Sequence, residues 1–351
     1  MTKKELVLSA FKMEKMDRQP VMPHWWGLYK FQHAGIIKGS GDQDFGWRLS
    51  GRELADVDIR FYNDFDPDIF HLSTGFWKPQ PGDEERNKAR LELAPAVREL
   101  ESKRIIDEYV KLTTPKPEEY ISSGMYDHVG VIASKYSDDV LILLNEGNPV
   151  CGVFDNGGPA GDFQDALIAT VTNPENLGYL IYKLYEANLP RMKVLKESGV
   201  HGYIGSETCV SHDIISPNTY RSIVAPALKM YYRSLKEMGL YSVVYFTGDV
   251  LPLIDDITEI GADALMVEDE KKNYNLNIVD IYKKINRRMA LFGNVNSVTE
   301  MLYGSINDVI KETKRQCRGT GTGFIAATGS PICLDTPEDN IQTFIKTARE
   351  F

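Results

Sequence analysis

Paired cysteines are missing from this chain. Its four cysteines, Cys151, Cys209, Cys317 and Cys333, are scattered with no C-x-x-C spacing. That excludes a disulfide framework and a zinc ribbon, and reduced cytoplasmic thiols are the simpler reading. Positive charge is in deficit as well: the formal net charge is -10 and the pI about 5.2, so the surface offers no basic footprint for nucleic acid or for an anionic membrane. Polyanionic substrates are disfavoured unless a local basic pocket exists. Long apolar runs are absent too. The opening MTKKELVLSAFKMEKM lacks the apolar core of about 7 to 15 residues that a signal peptide needs, and no later run is long enough to span a bilayer. The expectation is a soluble cytoplasmic protein with neither nucleic acid nor membrane as a partner. No H-x-x-x-H occurs, and the glycines of FDNGGPAGD come without the lysine and spacing of a phosphate loop, so that stretch reads as a turn.

What is present is ordinary globular composition, 351 residues at 42% apolar and 26% charged, enough for a large core. Thr2 followed by Glu5 makes a capping box ahead of Leu6, Val7, Ala10 and Phe11, so the chain opens with a helix. Residues 51–64 read as a helix and IFHL as a strand. The charged, proline-punctuated segment 78–120 has no clean period and reads as an irregular insertion. From residue 140 the pattern is regular. VLILLNE and VCGVFDNGG look like buried parallel strands, a helical tract from Phe163 to Glu197 breaks near Pro174, and HGYIGSET is the next strand. Ser216 and Pro217 start a helix that Gly239 stops, and strand and helix then alternate to a closing helix from Thr336. Such alternation without a glycine-rich phosphate fingerprint predicts an α/β fold, a (β/α)8 TIM barrel spanning 1–351 as one domain, with an N-terminal helical extension and the insertion near 78–120.

In a barrel the chemistry sits at the C-terminal ends of the strands. Those ends present His24, Trp25 and Trp26; His71; Asn145 and Glu146; Asp155 and Asn156; Glu207 and Cys209; Tyr245, Thr247 and Asp249; Glu268, Asp269 and Glu270; Asn294 and Asn296; Thr328 and Ser330. The stretch VVYFTGDV (243–250) poses the choice plainly: Asp249 is either a helix cap or a pocket carboxylate, and its position ahead of VLPLIDDI suits both. Glu207 ends GSET away from any helix start and reads as a pocket group. Glu268 follows an apolar strand directly, although the charge run behind it suits a solvated face. Three carboxylates at one mouth repel unless protonated or bound to a cation, and a metal such as zinc resolves that repulsion. Neighbouring tryptophans on a strand end point to opposite sides, so one of Trp25 and Trp26 lines the cavity. Aromatic walls with a few polar groups suit a small, flat ligand.

The stretches EKMDRQPVM, ISPNTYRSIVAPALKMYYRSLKEMG, VVYFTGDVLPLIDDITEIGADALMVEDE, LFGNVN and GFIAATGSPICLDTPEDNIQTFIKTARE resemble the uroporphyrinogen decarboxylase superfamily, in that family's order. In true decarboxylases an arginine-rich segment after the first strand grips the substrate carboxylates. Here the corresponding PHWWGLYKFQHAG holds tryptophans and one lysine, Lys30. The methylcobamide:coenzyme M methyltransferases carry an H-x-C-G metal segment where this chain reads YFTG, and a later cysteine where it has Ser330. Tyr245, Thr247 and Ser330 therefore replace thiol-site ligands.

The resemblance is closest to the branch whose members demethylate methoxylated aromatic compounds and pass the methyl group to a separate cobalamin-carrying protein. It implies a carboxylate-held zinc, for which Glu207, Asp249 and Glu268 are the candidate ligands, or else a proton held by them, with Tyr245, Asp249 and Glu207 as catalytic groups beside the ether oxygen and a Tyr245 hydrogen bond as the alternative to the metal. His24, Trp25, Trp26 and Asn294 would contact the substrate. No D-x-H-x-x-G segment of a corrinoid module occurs, so the cobalamin comes with a corrinoid protein as partner, alongside a homodimer. A carboxy-lyase acting on a less charged acid, a methylcobamide-dependent methyltransferase with another acceptor, and a non-catalytic binding protein are the competing readings.

Overall fold

The structure is a computed structural model that describes residues 1–25, 27–37, 49–154, 158–269, 274 and 276–351. It places eight parallel strands in the order β1-β8-β7-β6-β5-β4-β3-β2. The strands are β1 (Val21–Met22), β2 (Ile69–Ser73), β3 (Leu141–Gly147), β4 (Gly202–Glu207), β5 (Tyr241–Phe246), β6 (Ala264–Val267), β7 (Ala290–Phe292) and β8 (Phe324–Ala327). At the seam β1 meets β2 through Asp68. Its backbone N–H donates to Val21 O at 3.0 Å, and its carboxylate accepts the Val21 N–H at 2.9 Å. The same carboxylate takes both arms of Arg18 at 2.6 and 2.7 Å, a charge-assisted fork that holds the short strand in place. The result is a (β/α)8 barrel.

One side-chain layer fills the barrel: Met22, Ile69, Leu141, Leu143, Ile204, Val243, Tyr245, Ala264, Met266, Ala290, Phe292, Ile325 and Ala327. The opening helix α1 (Lys3–Phe11), started by the reciprocal Thr2 and Glu5 capping box, closes the floor. Its Val7, Ala10 and Phe11 join that layer, and the Phe11 ring lies 5.7 Å from Tyr241 and 6.2 Å from Phe292. Burying side chains of this size stabilises by about 1.5–3 kcal/mol each. The alternate strand residues, among them Phe70, Leu144, Tyr203, Val244, Phe246 and Val267, pack outward against the helices.

Between β1 and β2 run α2 (Tyr29–His33) and α3 (Gly51–Phe65). The segment expected to be irregular is helical: α4 (Asp83–Arg98), α5 (Lys103–Thr113) and α6 (Pro117–Ser122) precede α7 (Asp127–Tyr136). Its period is masked because α4 buries only Arg86 and Val97 and carries Pro95 inside. The run VCGVF, expected as a strand, is instead α8 (Pro149–Phe154). Proline at the first position suits a helix and removes a ladder donor from a strand. The helical tract beyond is α9 (Phe163–Thr172) and α10 (Pro174–Glu197), and the next is α11 (Pro217–Thr219) and α12 (Ala225–Glu237) joined by a π turn at Tyr220–Val224. The remaining helices are α13 (Ile254–Thr258), α14 (Ile278–Ile285), α15 (Ile306–Gly319) and α16 (Glu338–Ala348). Among the described residues no helix is long and apolar enough to cross a membrane.

Candidate active site

Strand phase decides what reaches the barrel mouth, because successive side chains alternate faces. Counting two residues on from the interior layer brings His24 after Met22, His71 after Ile69, Asn145 after Leu143, Ser206 after Ile204, Thr247 after Tyr245 and Glu268 after Met266. The contacts agree. The His24 and His71 rings are 4.7 Å apart, and His24 meets Tyr245 edge-on at 5.3 Å. Ser206 donates to Asn145 Oδ1 at 3.1 Å. The Tyr245 hydroxyl donates to Gly329 O at 2.9 Å, and burial raises its pKa well above the ordinary phenol value, so it stays protonated. His71 is fully buried, and burial together with the Lys30 cation pushes it down to about 3. It is neutral at any working pH. Lys30 is itself inside the protein, 2.8 Å from Asp58 on α3, with both side chains excluded from water.

The expected carboxylates do not join this set. Glu207 is one residue out of phase: Ser206 pairs with Tyr245 across β4 and β5, and Glu207 pairs with outward-facing Phe246. Its carboxyl lies in the helix layer, where Tyr185 on α10 donates to it at 3.1 Å and Asn148 also donates. Burial there pushes it up to about 8 despite those bonds. Gly205 permits the arrangement, since a Cβ on it would stand 2.7 Å from the Asn148 side chain. Glu146, also outward, pairs with Arg191 at 2.8 Å and accepts from Tyr126 at 2.7 Å.

Asp249 closes an Asx turn. Its Oδ1 accepts the Leu251 N–H at 3.2 Å at the head of a 3-10 turn (Leu251–Leu253). Glu268 does face the mouth but is engaged by the Gly248 N–H at 2.6 Å and the Tyr274 hydroxyl at 3.0 Å. Gly248 adopts φ +99, and a Cβ there would sit 2.2 Å from Ser211 Oγ. Among the described residues no three His, Cys, Asp or Glu side chains gather as a metal would require. The expected set of Glu207, Asp249 and Glu268 does not fit a zinc, because one member faces the helices and another serves a turn.

Asn294 bonds the Glu268 and Leu276 carbonyls at 3.2 and 2.8 Å, fixing the β6 and β7 loops together. Trp25 is fully buried in the outer layer, its ring 4.7 Å from Phe61 on α3. Trp26 lies outside the described residues, as do Asp155, Asn156 and Glu270. Ser330 donates to the buried Asp269, which also accepts the Ser297 N–H at 3.2 Å. Thr247 donates to Thr208 O at 3.1 Å. His71 and Asn145, both expected at strand ends, do reach the mouth together with Ser206, which is not among the expected residues; the signal that finds Ser206 is phase counted from an interior residue.

A barrel with its polar groups gathered in phase at the strand ends is the architecture of several enzyme families, and sequence comparison separates them. Residues 92–351 match the uroporphyrinogen decarboxylase (URO-D) family, and the chain belongs to it. It is 25% identical over 166 residues to a methylcobamide:CoM methyltransferase of Methanosarcina barkeri, covering 47% of this chain and 46% of that protein. It is likewise 25% identical over 227 residues to a uroporphyrinogen decarboxylase of Thermodesulfovibrio yellowstonii, covering 61% and 63%. The matches thus span from about a third to two thirds of the length of the curated relatives. A methyltransferase from Methanosarcina mazei superposes over 100% of this chain and 99% of its own, at a TM-score of 0.74 and 17% identity, which shows the shared fold.

Proposed function

We propose that this chain transfers a methyl group from a methoxylated aromatic small molecule to the cobalt of a corrinoid carried by a separate protein. The observation that carries the reading is the ring-lined mouth: His24, His71 and Tyr245 surround it, and the buried Lys30 is committed to Asp58. A polycarboxylate such as a porphyrinogen needs fixed guanidinium forks. A neutral aromatic ether needs an apolar wall and one or two hydrogen bonds. Methyltransferases among the relatives support the reaction class.

The corrinoid would supply the nucleophilic cobalt. This chain's part is to hold the ether with its methyl carbon toward the open end of the barrel and to stabilise the oxygen that is left behind. Tyr245 is suited to that task. Its hydroxyl keeps its proton and can turn from Gly329 O toward a developing phenolate, acting as a hydrogen-bond donor while solvent delivers the proton that completes the phenol.

The test uses 2-methoxyphenol labelled with 13C in its methyl group, mixed with the protein and free cob(I)alamin. Catechol and methylcobalamin in equal amounts support the reading. Failure across a panel of methoxybenzenes, with carbon dioxide released from a small carboxylic acid, would replace it by a carboxy-lyase.

A further inference from the structure

His71 has a chemical demand that the protein does not meet. It is fully buried, and neither Nδ1 nor Nε2 has a hydrogen-bond partner. Buried polar atoms are nearly always paired, because an unpaired one forfeits its hydration without return. The ring's surroundings explain why the protein leaves it unmet. On one side it lies against His24, and its β2 position pairs with the interior Leu143. The ammonium of Lys30 bears on it but is anchored on Asp58. A neutral imidazole has one nitrogen that donates and one that accepts. Its complement is a group that can also do both.

Resting on the reading that the mouth holds a methoxylated ring, we propose that His71 is its specificity-determining residue: the imidazole hydrogen-bonds a free hydroxyl on the methyl donor and so selects donors carrying that hydroxyl beside the methoxy group. A methoxy oxygen alone only accepts and leaves the accepting nitrogen unserved. A carboxylate has the same defect, and the cation that could offset its charge is occupied by Asp58. A hydroxyl satisfies either nitrogen. The slight exposure of Tyr245 and Asn145, 6% and 7%, marks the side from which the ring enters.

The experiment compares 2-methoxyphenol with methoxybenzene, which lacks the hydroxyl, on the full chain. Calorimetric affinity and methyl transfer to cob(I)alamin are both measured for wild type, His71→Phe and His71→Asn. Wild type should favour 2-methoxyphenol about tenfold, the scale of one buried hydrogen bond. His71→Phe should bring that ratio to about one, its loss for 2-methoxyphenol being about tenfold greater than any change for methoxybenzene, and His71→Asn, which still donates and accepts, should restore part of it. A ratio that survives in His71→Phe, or an equal loss for both compounds, overturns the assignment. Should His71→Phe fail to fold, the imidazole 15N resonances of wild type decide: they shift with 2-methoxyphenol and not with methoxybenzene, or the assignment falls. Absence of turnover with the binding preference intact would sink the demethylation reading and leave His71 as the hydroxyl reader.

Discussion

Glu207 and Tyr245 stand on adjacent strands one residue out of step, so the carboxyl leaves the barrel on the face opposite the phenol. The consequence concerns stability more than chemistry. Glu207 is pushed up to about 8 from an ordinary 4.5, so the folded state holds a proton that the unfolded chain releases. Its stabilising contribution is full below the unfolded value, shrinks as pH rises toward the folded value, and is gone above it, at roughly 1.4 kcal/mol per pH unit. Glu207→Gln removes that slope. Its melting temperature relative to wild type should gain about 5 °C or more between pH 5 and pH 8, by calorimetry.

The same geometry predicts that whatever metal the purified protein carries is indifferent to Glu207. Plasma mass spectrometry on wild type and Glu207→Gln should return equal metal content per chain. Loss of metal in the variant would return Glu207 to the site.

Tyr245→Phe removes the hydroxyl without changing the ring that meets His24 at 5.3 Å. A donor aimed at developing charge acts mainly in the transition state. The expected result is a drop in kcat of roughly 100-fold, with KM for 2-methoxyphenol changed little, in steady-state methyl transfer to cob(I)alamin.

Lys30 and Asp58 form an ion pair closed to water, with Asp58 Oδ2 left unpartnered. Removing one charge strands the other, at a cost of about 3–5 kcal/mol. Lys30→Met should lose that much in urea unfolding, and Lys30→Met combined with Asp58→Leu should recover most of it.

How much of this was legible in the sequence follows from what each signal encodes. The strands announced themselves as apolar runs closed by polar residues, and the barrel followed from their alternation with helices. Phase did not announce itself. Ser206 and Glu207 both end β4, and only pairing with β5 tells which of them turns inward. Asp249 is ambiguous in the sequence because a carboxylate ahead of a turn serves as cap or catalyst, and in the structure its Oδ1 accepts the Leu251 N–H. Pro149 ahead of VCGVF is a local signal for a helix, and the run's apolarity hides it. The Lys30 to Asp58 pair joins elements 28 residues apart, a tertiary fact with no local pattern.

The first strand has β8 as its ladder partner, Val21 against Ala326 and Met22 against Ala327. A chain emerging from a ribosome in N-to-C order must therefore carry α1 and β1 without that partner until residues beyond 320 are made. The floor of the barrel is made before the strand that seats it. Closure depends on joining segments about three hundred residues apart, a slow event because so long a loop is costly to close before any contact repays it. During that interval the apolar face of α1, with Val7, Ala10 and Phe11, has no completed barrel to enter, and exposed apolar surface of that kind is what makes slow-closing chains prone to aggregate.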